Sequence, residues 1–526
     1  MSNTETAPVR TGRPGEVFFV SLPLIMSAGT FAFKLFCDRM MLAWHSETSI
    51  AAAIAAGMTA FMLSSFFMGV ANYANAFVAQ DSGAEQHGRT GVAVWQSMLF
   101  SLAAGMLLAL IAMFTSDFFL WVGHPFVLAN EESAYFLVLS SGSVFALVNS
   151  SLMCFWTGRN RTWTVVIVGF ASICLNVVMN WALIFGAEGS PYLNGGPWPL
   201  PLVGGLLNDL AALIGAPSMG VVGAGLATVG TDALSVFIFL ILFLRERNRR
   251  EYGTSPARIF NFSLMKRMLR FGFANGMQLF MDIAAFALFN ILMGRYAVTA
   301  LGGNPAAASG IAISVNGVAF IPMLGLGAAA SIMVGHGIGS RDIPFAKRAV
   351  RSARIFILSY MAVMCFLFEV KPDFLVSIFS PGESMTAMTR AMARDFLRLV
   401  GIFCLTDGFF ILYGNAIRGA GDTKFSMYVM GLCGWGFFAL PCLAAFLLGA
   451  SPYTLWYILV AYSFIAAGIF YWRYRQGKWQ NMKVIEETGI SARRRGSASV
   501  RLSTPVVTPE AILSLPGDDC ALEEER

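Results

Sequence analysis

Charge is what this chain has least of. Asp, Glu, Lys and Arg make up 13% of its 526 residues against 56% hydrophobic, and the mean hydropathy is +0.65. That is too little polar surface for a soluble globule of this length, so the composition excludes a soluble enzyme and implies an integral membrane protein. Histidine is scarcer still. His45, His87, His124 and His336 are the whole set and none sits in an HExxH string, which excludes an intramembrane zinc hydrolase. The eight cysteines show no CxxC and no regular spacing; Cys37, Cys174 and Cys404 are among seven in apolar runs, and Cys520 is near the C-terminus. Neither a disulfide frame nor a metal site is expected.

Apolar runs long enough to cross a bilayer, about 18 residues or more, are abundant. They fall near 17–44, 50–79, 91–115, 134–157, 163–186, 220–244, 268–294, 306–334, 349–371, 396–418, 425–449 and 453–472, which predicts an all-α membrane protein of about twelve transmembrane helices. Lys and Arg are missing from 116–133 and from the long Pro- and Gly-rich loop 187–219. They gather instead in the alternate connections: Arg89; Arg159 and Arg161; Arg245, Arg247, Arg249, Arg250, Arg258, Lys266 and Arg267; Arg341, Lys347 and Arg348; Lys424. By the positive-inside rule both termini are expected on the cytoplasmic side, in a bacterial inner membrane. The net charge of +6 is largely this bias and calls for no nucleic-acid partner, while the cluster at 245–250 is positioned to meet anionic lipid heads. The first run is too long for a signal-peptide core and has no cleavage pattern behind it, so it is expected to stay as a helix. From about residue 490 onward, ARRRGSASVRLSTPVVTPE and the acidic end DDCALEEER hold too few apolar residues for a core. A disordered cytoplasmic tail without mechanistic role is expected there.

Two short strings recur. VAQDSGA (78–84) has a counterpart in VGHGIGS (334–340), and GRNRT (158–162) one in GAGDT (419–423), at offsets of 256 and 261 residues. Nearly equal offsets predict two six-helix halves, and an even number of spans per half keeps both in one orientation, related by a pseudo-two-fold along the membrane normal. The expected organisation is a cytoplasmic N-terminus (1–16), one lobe (17–244), a basic linker (245–267), a second lobe (268–474) and the tail (475–526).

Three carboxylates interrupt the apolar runs. Asp407 lies in FLRLVGIFCLTDGFFILYG (396–414), Asp282 in GMQLFMDIAAFALFNILMG (276–294), and Asp38 follows Lys34 by one turn in the first run. Ionisable groups at bilayer depth are costly and usually face a cavity where they bind or relay something. About 14 and 11 residues into their runs, at about 1.5 Å per residue, Asp282 and Asp407 are expected near mid-membrane, where they can meet. Two carboxylates in a cavity of low dielectric either take up a proton or share a cation such as Na⁺. The chain therefore reads as a transporter with a cation-coupling site at Asp282 and Asp407, Asp38 being a further candidate. Hydrogen-bonding to a neighbouring helix for stability alone is the plain alternative.

Pro23 with Asp38, VAQDSGA, the pair Asn176 and Asn180, VGAGLAT (222–228), PMLGLGAAASIMVGHGIG (322–339) and IRGAGDTK (417–424) together resemble the multidrug and toxic compound extrusion (MATE) family over residues 17–472. The Asp282 and Asp407 pair is most similar to its NorM branch. The resemblance implies two six-helix bundles in a V, cation-coupled export of amphipathic, often cationic, small molecules, no cofactor, and a monomer in contact with membrane lipids. It implies that Asp38, Asn176, Asn180 and Thr228 line the cavity of the first lobe, and that Pro23 is a hinge. A tyrosine that helps hold the cation often stands one turn before the tenth-helix carboxylate; Phe403 stands there instead and has no oxygen. Na⁺ wants several oxygen ligands, so this departure favours protons, with Thr406 as the nearest hydroxyl.

Lys34 is one turn from Asp38, within reach of an ion pair that would neutralise it; reaching water in the cavity is the alternative. Asn176 and Asn180 share a helix face, as do Thr228 and Asp232. Pro23 interrupts the helical ladder and predicts a kink. The 28 Met and 46 Phe suit an adaptable cavity, though most must face lipid. Two other readings remain: the same fold carrying a lipid-linked or anionic metabolite, for which Arg398 is the main intramembrane cation, and a ligand-sensing membrane protein without net transport.

Overall fold

Among the described residues twelve helices are long and apolar enough to cross a membrane: α1 (Pro14–Leu42), α2 (Thr48–Gly83), α3 (His87–Met113), α4 (Phe126–Thr157), α5 (Trp163–Phe185), α6 (Gly220–Phe243), α7 (Phe262–Arg295), α8 (Pro305–Ser340), α9 (Ile343–Val370), α10 (Ala387–Ala420), α11 (Thr423–Leu447) and α12 (Pro452–Arg475). The computed structural model describes residues 11–114, 118–122, 124–186, 200–215, 217–255, 260–296, 303–379, 386–482 and 484, and no strand occurs among them. The tail beyond Val484 lies outside the described residues.

Several helices begin earlier than the apolar runs do. Helix α4 starts at Phe126, α7 at Phe262 and α10 at Ala387, taking in Glu131, Lys266, Arg267, Arg390 and Arg394. Hydropathy marks only the stretch that meets hydrocarbon; the helix starts where its free N–H groups find a cap. Asn261 Oδ1 accepts from Leu264 N at 3.0 Å, and Thr386 Oγ1 from Thr389 N at 3.3 Å. The loop 187–219 contains a helix, Leu200–Ile214, tied to α5 by Trp181 Nε1 donating to Asn208 Oδ1 at 2.8 Å. The linker contains another, Glu246–Tyr252, whose Tyr252 ring and that of Phe155 sandwich the Arg159 guanidinium at 4.1 and 3.5 Å.

The packing repeats with a period of six helices. In the first half α1 packs on α5, α2 and α6 on α4, and α3 on α4; in the second α7 packs on α11, α8 and α12 on α10, and α9 on α10. Between the halves α1 meets α8 and α2 meets α7. These two contacts exchange under a two-fold that carries each helix to the one six places on, so the halves are two parallel six-helix lobes.

The contacts between lobes fall in the half of the molecule that carries the chain ends. Gly69 of α2 touches Gly276 of α7, Asn275 Nδ2 donates to Gly69 O at 2.6 Å, and Gly325 of α8 lies on Ile25 of α1. At the very end, a Cβ on Gly83 of α2 would overlap the His336 carbonyl of α8; only small residues let membrane helices approach so closely. The recurring strings cross here. Gln80 Nε2 of α2 donates to Gly419 O and Ala420 O of α10 at 3.2 and 3.3 Å, and buried His336 Nε2 of α8 is 2.7 Å from Gly158 O of α4. Each lobe therefore offers the other the same bond.

The first residues after α12 pack back onto the lobes, and the segment from 490 onward, expected to be disordered, lies outside the described residues. Lys478–Asn481 forms a 3₁₀ turn whose Trp479 is buried. Val484, fully buried, donates its N–H to Gln80 Oε1 of the first lobe at 2.8 Å, and its carbonyl accepts from Arg267 of the second.

Candidate functional site

The first lobe encloses a cavity of about 440 Å³ between α1, α2, α4, α5 and α6. Lys34, Asp38, Thr228 and Asp232 line it, with Phe31, Met58, Phe61 and Tyr135 among its apolar walls, and Arg39 also reaches it. Asp38 is 6% exposed. Asn180 Nδ2 of α5 donates to its Oδ1 and Thr228 Oγ1 of α6 to its Oδ2 at 3.2 Å. Asn180 Nδ2 also donates to Asn176 Oδ1 at 3.0 Å. Both asparagines are fully buried behind Asp38 rather than lining the cavity. They leave Asn176 Nδ2 and Asn180 Oδ1 buried without a partner.

Lys34 does not pair with Asp38. Its ammonium is 3.1 Å from Asp232 Oδ1, 3.0 Å from Thr231 Oγ1 and 3.5 Å from Thr228 O. The reason is directional: Asp38 turns inward to the amide and hydroxyl donors of α5 and α6, and Asp232 presents its carboxylate on the cavity wall. Asp232 and Arg39 are both charged residues within apolar runs, the signal by which the sequence marks them.

In the second lobe Asp407 of α10 is half-buried, and its Oδ1 accepts from Ser463 Oγ of α12 at 2.8 Å. Thr406 Oγ1 is 2.9 Å from the same Ser463 hydroxyl and donates to Phe403 O at 2.6 Å. Asp282 of α7 is exposed, and no hydrogen bond joins it to Asp407; the two carboxylates lie within electrostatic reach of each other, and both act on Tyr462. Arg418 is within the same reach of Asp282. Phe403 stands apart: 4% exposed, it belongs to an apolar cluster with Phe289, Phe396 and Phe438. Next to Asp282, α11 is wound as a π-helix over Met430–Ala439, and Gly431 lies against Met281. Such irregular turns often mark functional positions. Ser463 and Tyr462 were not foreseen; a Tyr–Ser pair inside the apolar run of α12 was the available sign.

Pro23 is buried within α1, which continues through it as a helix. It lies beside Ile25, at the level where α1 touches α8. Arg398 is exposed and lines no part of the cavity. Among the described residues no cluster of three or more His, Cys, Asp or Glu could hold a metal ion.

Comparison with known proteins agrees with this architecture. The MatE family model matches residues 23–182 and 277–442, one stretch in each lobe. The chain is 24% identical to the "Probable multidrug resistance protein NorM" of Neisseria meningitidis serogroup B, over 86% of this chain and 92% of that one. The structure superposes on a multidrug resistance MATE family transporter of the MOP superfamily in an outward-facing conformation, with a TM-score of 0.75 at 16% identity, covering 92% of this chain and all of that one. It also superposes on the eukaryotic MATE transporter AtDTX14, with a TM-score of 0.74 at 17% identity, over 89% and 96% of the two chains. With both halves matched, the chain belongs to the MatE family and is a transporter of that fold.

Proposed function

We propose that the chain is a secondary active multidrug exporter that expels amphipathic organic cations in exchange for an inward-moving ion, H⁺ or Na⁺, with H⁺ favoured. The observation that supports this reading is that Asp407 and Asp282 lie within electrostatic reach of each other in the second lobe. Among the described residues one accepts a single side-chain hydrogen bond and the other none, with Arg418 within electrostatic reach of Asp282, whereas Asp38 and Asp232 in the first lobe are held by Asn180, Thr228 and Lys34. A carboxylate with few partners has the most to gain from a proton or a cation. Phe403, one turn before Asp407, has no side-chain oxygen and packs in the apolar cluster; Na⁺ wants several oxygen ligands, which supports H⁺. The cavity in the first lobe, of drug-ligand size, takes the cargo against Phe31, Phe61 and Met58. Lobes α1–α6 and α7–α12 act as the two moving bodies about Pro23 and the linker, and the basic face with the chain ends lies in the cytoplasm. On that orientation the contacts between lobes close the cytoplasmic end.

Lys34 and Arg39 on the cavity wall favour a second reading, in which the cargo is an anionic or lipid-linked metabolite. Efflux from proteoliposomes decides. A fluorescent lipophilic cation and an anionic dye are loaded separately, and pH and Na⁺ gradients are imposed one at a time. Export of the cation under a pH gradient alone supports the first reading; export of the anion only supports the second; no gradient-driven movement of either refutes both.

A further inference from the structure

On the face that carries the chain ends, a second cavity of about 270 Å³ opens between α9, α10, α12 and the turn after α12. Lys347, Arg351 and Arg354 of α9 and Arg475 of α12 enter it, and among the described residues no carboxylate lines it. Elsewhere on this face several basic groups have partners. Arg473 pairs with Asp422 at 2.7 Å, Arg250 with Glu246, Arg247 with Glu251, and Arg348 donates to Thr11 O. Among the described residues none of the four in the cavity has an ion-pair partner. The back wall is a rigid aromatic stack: Tyr413 faces Tyr474 at 4.8 Å, Tyr474 lies on Trp479 at 5.2 Å, and Tyr413 and Trp479 are both 1% exposed. Four like charges held against fixed rings repel one another until an anion enters. Guanidinium forks and tyrosine hydroxyls are the donors that suit phosphate oxygens.

The cavity sits where α9 passes from its charged first turns to its apolar stretch. Below Arg351, on the same helical face, follow Ile355 and Phe366, which are 53% and 62% exposed. A polar pocket that continues into an exposed apolar stripe at the membrane boundary matches a headgroup with an acyl chain attached. We propose that this cavity is a binding site for a phosphate ester, seating the headgroup of an anionic phospholipid whose chain lies along α9. Because Trp479 and Gln480 form part of the wall, an occupied site also fixes the turn that leads to Val484.

The test uses the purified full-length protein and native mass spectrometry with added phosphatidylglycerol, phosphatidylcholine or glycerol 3-phosphate. The parent should retain phosphatidylglycerol in clear preference to phosphatidylcholine. Each of Arg351→Ala and Arg354→Ala should weaken retention about fivefold and the pair about thirtyfold, from the contribution of one basic residue to anionic-lipid binding. Lys347→Ala with Arg475→Ala repeats the test should the first pair fold poorly, and Lys371→Ala, just past the opposite end of α9, should change nothing. Retention of glycerol 3-phosphate with the same losses would assign the site to a soluble phosphate ester. Parental retention of both probes in the two cavity double variants would overturn the proposal.

Discussion

Replacing Lys34 with methionine strips the Asp232 carboxylate of the cation 3.1 Å away. Removing one partner of a fully buried ion pair costs about 3–5 kcal/mol. Lys34 and Asp232 keep 12% and 22% of their side-chain surface open to the cavity, so water screens part of the loss and about 2–3 kcal/mol is expected. The other acceptors of Lys34 lose little: Thr231 Oγ1 still donates to Ala227 O, and Thr228 O still accepts from Thr231. Asp232→Asn should cost a similar amount by leaving the ammonium alone, while the double variant should return to within about 1 kcal/mol of the parent, a coupling of about 2 kcal/mol or more. Equilibrium unfolding in mixed SDS–detergent micelles measures all four corners of the cycle. The matching cycle with Asp38→Asn should show a smaller coupling, because Asn180 and Thr228 hold that carboxylate whether or not Lys34 is present. Additivity within about 0.5 kcal/mol for Lys34 and Asp232, or a larger coupling for Lys34 and Asp38, would refute the assignment.

Asp407→Asn and Asp282→Asn should each abolish gradient-driven efflux while the protein inserts and accumulates normally; near-parental efflux at matched expression in both would make the carboxylates structural. Ser463→Ala removes the one side-chain hydrogen bond to Asp407 and should shift the pH dependence of efflux without abolishing it, whereas an unchanged profile would separate Ser463 from coupling. Gln80→Leu deletes the bonds to Gly419 O and Ala420 O and the one from Val484 N, and His336→Leu deletes the one to Gly158 O, about 0.5–1.5 kcal/mol per bond; spin-label distances across the end with the chain termini should lengthen in either variant, and unchanged distances would mean that these bonds do not hold that end closed. Gly83→Ala should act in the same direction and more strongly, because its Cβ meets backbone rather than a movable side chain.

What the sequence disclosed follows from how local each signal is. A membrane span is written in some twenty consecutive residues, and all twelve were legible. Their ends were not, because caps such as Asn261 and Thr386 lie in polar sequence that hydropathy ignores. The repeat was legible because two strings recur at nearly equal offsets, though nothing in them says that Gln80 and His336 reach across to the opposite lobe. Lys34 marks the limit. Spacing along one helix offered Asp38, and a helix nearly two hundred residues later supplied Asp232. Phe403 shows the same limit from the other side: its position in the chain adjoins Asp407, but its ring belongs to the apolar cluster, and the nearby oxygen comes from Ser463 on another helix. Partners on one helix can be counted from sequence; partners across helices depend on rotation and tilt, which packing sets.

Val484 turns the segment after α12 into a fastener. Its N–H is held by one lobe and its carbonyl by the other, so the lobes cannot part at this end without letting go of at least one. An alternating-access cycle would thus include a moment of unfastening and another of refastening, each involving a bond worth about 1 kcal/mol. A chain cut after Asn481 would have no fastener and should spend more of each cycle open at this end. A bulky fusion joined directly at residue 482 would jam it, while one attached well beyond 484 would leave it free. The rate of switching, and with it turnover, is therefore open to adjustment by whatever pulls on, binds or modifies the residues that follow.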